Sequence, residues 1–533
     1  MDDLTTDVVV LNTPSGVFKG KAIEGCVQYS GIKYANLKDQ LAVPEMVTAY
    51  GDITDATRFG SQCVAMDGCQ FEQGVIIQQS IDTPSSPPMS GLDCLNLNIT
   101  VPGVSNRKPL PVMAFIHGGG YIMGANWWPQ YDPARLVKLS MESESPTIVV
   151  AFNYRLGILG NLTSKELRDA GYPGNNALRD QRCALRWIKT HISNFGGDSD
   201  NVTLFGESAG AASVLNHLSS SERLFKRAIS MSGTPTMFKL FPSAVAETSY
   251  DIIMKELGLE NASTADRVSR LLTISPEELV AKTPMTVPLR SFVDDDIVPS
   301  STTFKDLEPG VSGIGGHQWC AELMIGDCQH DGTIYAYMGI AERKVGIAAQ
   351  FCTSLAANIS KFSTEAVLKA YNLTPSTDDD IAMRTILEYA TDIAYAGPAL
   401  AFARSWHGKA YYYHFNEPNP WDGLFKGCST HVLDAAFLFQ NYNEKLSPEA
   451  REVAVSLAKA FLNFANGTEP WQAFHRDQGN AQTFGPSGTS TSAMVGNNGW
   501  GEGRRDHLFK LKEEGKVDLD ELSVAWDKFL AGQ

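Results

Sequence analysis

The chain is poor in the features that would take it out of the ordinary globular proteins. No stretch approaches the ~18 consecutive apolar residues of a membrane span, so no integral membrane segment is expected. Basic clusters are missing as well. Arg504-Arg505 is the densest basic pair in 533 residues of formal charge −16, with a pI near 5.1. Neutralising phosphates takes clustered Lys and Arg, so a nucleic-acid partner is excluded. The nine cysteines contain no C-x-x-C pair, which removes the zinc-ribbon and thioredoxin readings. No metal and no cofactor is expected, and with an odd cysteine count at least one thiol stays free. The opening "MDDLTTDVVVL" has neither a basic n-region nor a long apolar h-region, so a secretory signal is not read there. The seven Asn-x-Ser/Thr sequons do not decide the compartment. Internal repeats and convincing linkers are also missing. Residues 1–533 therefore read as one domain with helical insertions near 240–320 and 340–400.

What is present alternates. "PVMAFIHGGG" (111–120) is an apolar run ending in glycines. "TIVVAFNYR" (147–155) is β-branched and apolar on both faces, as a central parallel strand is. "NNALRDQRCALRWIKTHISNF" (175–195) places Leu178, Leu185, Ile188, Ile192 and Phe195 near helical spacing. "NVTLF", "RAISMSG", "AELMIGD" and "KAYYYHF" read as further strands, and 451–467 as an amphipathic helix ended by Gly467. The stretch from 240 to 320 reads as mostly helical, while 83–91 and 485–503 read as surface loops. This rhythm is α/β: a large, mostly parallel twisted sheet with helices on both faces and helical insertions.

Two stretches carry chemistry. Gly206-Glu207-Ser208-Ala209-Gly210 matches G-x-S-x-G, in which flanking glycines permit a sharp strand-to-helix turn that exposes a nucleophilic serine. In a chain with 46 glycines the pattern arises by chance about 0.3 times, so the apolar strand before it matters as much as the match. "IHGGGYIMG" (116–124) puts three glycines after another strand. Such a backbone can aim N–H groups at one point and stabilise an oxyanion.

With these residues the chain resembles the type-B carboxylesterase/cholinesterase family of α/β-hydrolases, nearly end to end. The resemblance is carried by Gly31-Ile32-Lys33-Tyr34-Ala35, Asp93-Cys94-Leu95-Asn96-Leu97-Asn98, Asn153-Tyr154-Arg155-Leu156-Gly157, "GNNALRDQ" and "LFKRAISMSG". It implies the α/β-hydrolase fold and roles by position. Ser208 aligns with the nucleophile, and Gly119, Gly120 and Ala209 with the oxyanion donors. His431, in "KGCSTHVLDAAFLF", aligns with the base. Asp331, in "LMIGDCQHDGTIYAY", stands where glutamate is commoner; Asp327 is its rival, and His330 is the obvious decoy histidine. His414 reads as a strand residue. Glu207, Ser232 and Asp434 align with polar positions that support the triad in relatives. Tyr121, Trp127 and Trp128 follow the Gly loop and are candidates either to line the substrate pocket or to pack.

The departures are informative. Cys63 and Cys94 match the family's first disulfide, but the region of the second contains no Cys, which tilts the reading towards a cytoplasmic enzyme with these two as thiols. A secreted protein is the alternative. Leu92 replaces the glutamate that pairs with the arginine of "NYRxG", so Arg155 needs another partner. Phe71 is the sole aromatic between Cys63 and Cys94, which argues against choline specificity. The resemblance therefore implies a serine hydrolase that cleaves small, uncharged, moderately apolar carboxylic esters through an acyl-serine. Acyl transfer or lactone opening on the same triad is the alternative, and a non-catalytic adhesion module the remote one. The sequence sets no oligomeric state.

Overall fold

The computed structural model describes residues 8–51, 53–103, 108–294, 296–308, 311, 314–475, 479–489, 492–494 and 506–533. Arg504-Arg505 and part of the 485–503 stretch lie outside them. Among the described residues a 13-stranded sheet runs through the molecule. Its main strands are β1 (Val8–Thr13), β2 (Gly16–Ile23), β3 (Cys26–Lys33), β4 (Asn96–Pro102), β5 (Leu110–Ile116), β6 (Ile148–Phe152), β7 (Gly197–Glu207), β8 (Arg227–Met231), β9 (Glu322–Cys328), β10 (Lys409–Phe415), β11 (Asn480–Phe484) and β12 (Ser492–Met494). They lie in the order β1-β2-β3-β4-β6-β5-β7-β8-β9-β10-β11-β12. From β6 to β11 every neighbour is parallel. The strands before β5, and β12 at the other edge, pair antiparallel.

The central strands are apolar on both faces because both faces are covered. Successive residues of β5 fall into different cores: Val112, Ala114 and Ile116 into one, Met113 and Phe115 into the other. The first core is closed by Leu185, Trp187 and Ile188 of helix α1 (Asn176–His191) and by Val214, Leu215 and Leu218 of α2 (Ala209–Ser219). On the opposite face lie Val453, Leu457 and Phe461 of the 448–465 helix, which starts behind a Ser447 cap and stops before Gly467.

The 240–320 expectation needs correction. Helices occupy Ser243–Glu256, Thr264–Thr273 and Pro276–Ala281, and no helix follows among the described residues until Gly315–Gln318. Pro284 and Pro288 lack the N–H a helix needs. Asp294 Oδ1 also accepts from the N–H groups of Asp296, Ile297 and Val298, a local arrangement that competes with helix. Between 340 and 405 the helices are Ile347–Asn358, Lys361–Ala370, Asp379–Thr391 and Gly397–Ser405. Among the described residues no helix is long and apolar enough to cross a membrane.

Candidate active site

Strand β7 ends at Glu207 and α2 begins at Ala209, so Ser208 alone makes the turn, at φ 56° and ψ −121°. A positive φ is strained for serine. It is held by Ser208 N–H donating to Met231 O at 2.9 Å and by Ala212 N–H donating to Ser208 O at 3.0 Å. The flanking glycines are needed for approach rather than flexibility: a Cβ on Gly210 would lie 2.0 Å from Ile116 O, and one on Gly206 would lie 2.5 Å from the Gly210 carbonyl carbon.

Two loops at the carboxyl ends of neighbouring strands bring the partners. After β9 the chain turns so that Asp331 Oδ2 accepts from Cys328 N–H at 2.8 Å. After β10, residues 429–432 run alongside, with His330 N–H donating to Ser429 O and Ser429 N–H donating to His330 Nδ1. His330 thus joins the acid loop to the histidine loop and stays out of the site. Val432, at φ 73°, then starts the Leu433–Leu438 helix and turns His431 inward. His431 Nδ1 lies 2.8 Å from Asp331 Oδ1, and its Nε2 lies 2.9 Å from Ser208 Oγ. The rival Asp327 is instead bound to Nδ1 of His414, at 3.0 Å within the sheet.

The Gly loop follows β5, whose neighbour is β7. A methyl on Gly118 would sit 3.1 Å from Ser208 Cβ, so the loop lies against Ser208. Gly119 and Gly120 have φ of 93° and 64°, which a side chain would strain. Their N–H groups and that of Ala209, first residue of α2, donate to no acceptor among the described residues. Three donors without an acceptor, one next to Ser208 in the chain and two on the loop that lies against it, suit a developing oxyanion.

Around this core the site is rich in carboxyls. Glu207 Oε1 lies 3.3 Å from His431 Nε2. Burial, then the charges of Asp434, Glu72 and Asp331, push its carboxyl well above the usual range. Burial also raises Asp331, against the opposing His431. Asp434 is pushed up to about 6 by burial and then by Asp331, and it accepts from Tyr413 Oη at 2.8 Å. Ser232 Oγ shares the Cys328 N–H at 3.2 Å. Glu72 and Tyr395 escape a sequence reading. Glu72 accepts from Gln130 Nε2 at 2.9 Å, and burial raises its carboxyl. Tyr395 packs its ring 5.2 Å from that of His431. Neither stands in a motif; Tyr395 sits in a π-helical turn, Asp392–Ala396, inside an unremarkable helical run.

Other expectations resolve by packing. Trp127 and Trp128 are 4% and 2% exposed; Trp127 Nε1 donates to Gln62 Oε1 and Trp128 stacks on Tyr131. Tyr121 is buried, its hydroxyl 3.0 Å from Ser213 Oγ. The Cys63–Cys94 bridge is not formed: both are buried free thiols, and Leu156 N–H donates to Cys63 Sγ. A hydrogen bond with Cys63, and then burial, hold the Cys94 thiol well above its usual pKa, and disulfide exchange needs the thiolate. Arg155 finds its partner in Asp180 on α1, a fully buried bidentate pair at 2.8 and 2.7 Å. Phe71 is exposed, edge-on to Tyr337. Two surface clefts of about 560 and 460 Å³ lie elsewhere and include none of the site residues. Ser208 itself is 7% exposed.

A family model described as "Carboxylesterase family" matches residues 7–494. The chain is 27% identical over 497 residues to para-nitrobenzyl esterase of Bacillus subtilis (strain 168), covering 88% of this chain and 93% of that protein. It is 29% identical over 457 residues to acetylcholinesterase of Bungarus fasciatus, covering 80% and 72%. With bile salt-activated lipase of Rattus norvegicus it shares 30% over 517 residues, covering 87% and 78%. Among solved structures a PNB esterase superposes with a TM-score of 0.72 at 24% identity, over 92% of this chain and 98% of that one.

Proposed function

This chain belongs to the carboxylesterase family, and from that premise we propose that Ser208, His431 and Asp331 are the catalytic triad with which it hydrolyses carboxylic esters. The observation that carries the assignment is the relay of 2.9 Å from Ser208 Oγ to His431 Nε2 and 2.8 Å from His431 Nδ1 to Asp331 Oδ1. A serine hydroxyl is a weak nucleophile until a base within hydrogen-bond reach takes its proton. His431 takes it as Ser208 Oγ attacks the ester carbonyl. Asp331 holds the Nδ1–H tautomer and stabilises the imidazolium. The tetrahedral oxygen is received by the N–H groups of Gly119, Gly120 and Ala209. His431 then protonates the departing alcohol, and water, activated the same way, releases the acyl group. Glu207, Ser232 and Asp434 act as positioning residues around the imidazole and the acid loop.

Turnover of p-nitrophenyl esters of graded acyl length tests this, with Ser208→Ala as the control. The expected result is hydrolysis by the wild type and a fall of roughly 10⁴-fold or more in kcat for the variant. A Ser208→Ala enzyme as active as the wild type would sink the assignment.

A further inference from the structure

The site is electrically lopsided. Around His431 Nε2 stand buried carboxyls: Glu207 at 3.3 Å, with Glu72 and Asp434 among the charges that act on it. On the side of the Gly loop stands Arg290. Its guanidinium carbon lies 5.3 Å from the centre of the Phe238 ring and 5.6 Å from that of Phe241. Phe238 in turn meets the Tyr121 ring edge-on at 5.5 Å, and Tyr121 directly follows the two oxyanion glycines. The segment that carries Phe238 also starts at the nucleophile, since a Cβ on Gly233 would lie 2.1 Å from Ser208 O. Two chain segments leaving Ser208 therefore converge on one guanidinium. The buried phenols agree: burial lifts Tyr121 and Tyr335 to about 12, and Arg290 is among the groups that oppose the rise in each.

Arg290 is half-buried, and among the described residues it forms no ion pair and donates no hydrogen bond; its contacts are the two aromatic faces. The neighbouring Asp294 and Asp296 are engaged by Arg179 and Arg182. A guanidinium stacked on rings keeps its N–H edge available, and that edge matches a carboxylate.

We propose that Arg290 determines specificity: the enzyme prefers esters whose acyl part ends in a carboxylate, which Arg290 holds while the ester carbonyl lies on Ser208. The proposal rests on the triad reading above. Geometry chooses the acyl side. The departing alcohol must face His431 Nε2 to be protonated, and that side is lined with carboxyls. The other way, from Gly119 and Gly120, the contacts lead through Tyr121 and Phe238 to Arg290, and the proposal places the acyl chain along them. A neutral chain would leave the cation unpaired in a half-buried place, and a cationic one would be repelled by it.

The test compares mono-p-nitrophenyl esters of glutaric, adipic and suberic acids with their methyl-capped, uncharged diesters, reading p-nitrophenol release. Wild type is expected to favour the charged ester at one or more chain lengths. Arg290→Met is expected to lower that charged-to-neutral ratio of kcat/KM by about 10- to 100-fold, mainly through KM, and to leave the capped ester within about threefold. Arg290→Lys should restore part of the ratio. A wild type that prefers the capped ester at every length overturns the proposal with no variant needed. So does a ratio unchanged in Arg290→Met, or an equal loss on both esters. Failure of the triad reading is separate: Ser208→Ala would then turn over both esters like the wild type.

Discussion

Asp331 reaches His431 because its own loop brings it there. One carboxylate oxygen is pinned by Cys328 N–H and the other meets the imidazole, each at 2.8 Å. Asp327 lies within β9 opposite His414 on the neighbouring strand and meets that residue instead. At the residue scale Asp434 gives a test by pH. Burial and then Asp331 raise its carboxyl from 3.8 to about 6. A carboxyl that ionises less readily in the folded chain favours folding only while protonated, so its contribution is complete below about pH 4 and lost as pH rises through about 6. Asp434→Asn keeps an acceptor for Tyr413 and cannot ionise. The Tm advantage of wild type over this variant should therefore shrink as pH rises from about 4 to 7. A difference that stays constant over that range would refute the account.

At the scale of elements, the turn at Ser208 is a product of three backbones packed without side chains between them. Helix α2 starts so close to β5 that Gly210 has 2.0 Å between a would-be Cβ and Ile116 O, a backbone atom that cannot swing away. Gly210→Ala must push the helix start off the strand and displace Ser208. Because misplacing a reacting group by about 1 Å costs about 100-fold, kcat should fall by roughly 10- to 100-fold while far-ultraviolet circular dichroism persists. Gly51→Ala, which meets nothing within 4 Å, serves as the control. Wild-type kcat in Gly210→Ala would show that this contact does not position the serine. The elements were legible where burial on both faces writes a continuous apolar run, as in "IVVAF" and "VMAFI". They were not legible around Asp294, whose carboxylate organises Asp296, Ile297 and Val298 through local bonds that leave no periodic trace.

At the scale of the molecule, the sheet collects strands from Val8 to Met494, and Arg155–Asp180 ties the end of β6 to α1 without exposure to water. We propose that the chain unfolds as one cooperative unit, a single domain. Differential scanning calorimetry should give one transition whose van't Hoff and calorimetric enthalpies agree. Two separated transitions would count against it.

The sequence by itself determined the α/β order, the elbow at Ser208 and the glycines before Tyr121, because those depend on backbone shapes that only certain residues allow. Its resemblance to a family supplied His431 and Asp331, which lie far apart in the chain and belong to no local pattern. Only the tertiary structure decided that Asp180 answers Arg155, that Trp127 and Trp128 are buried, that Cys63 and Cys94 are free thiols, and that Glu72 and Tyr395 stand by His431. Those are contacts between segments tens to hundreds of residues apart. Their partners are selected by burial and charge in three dimensions, which residue order does not record.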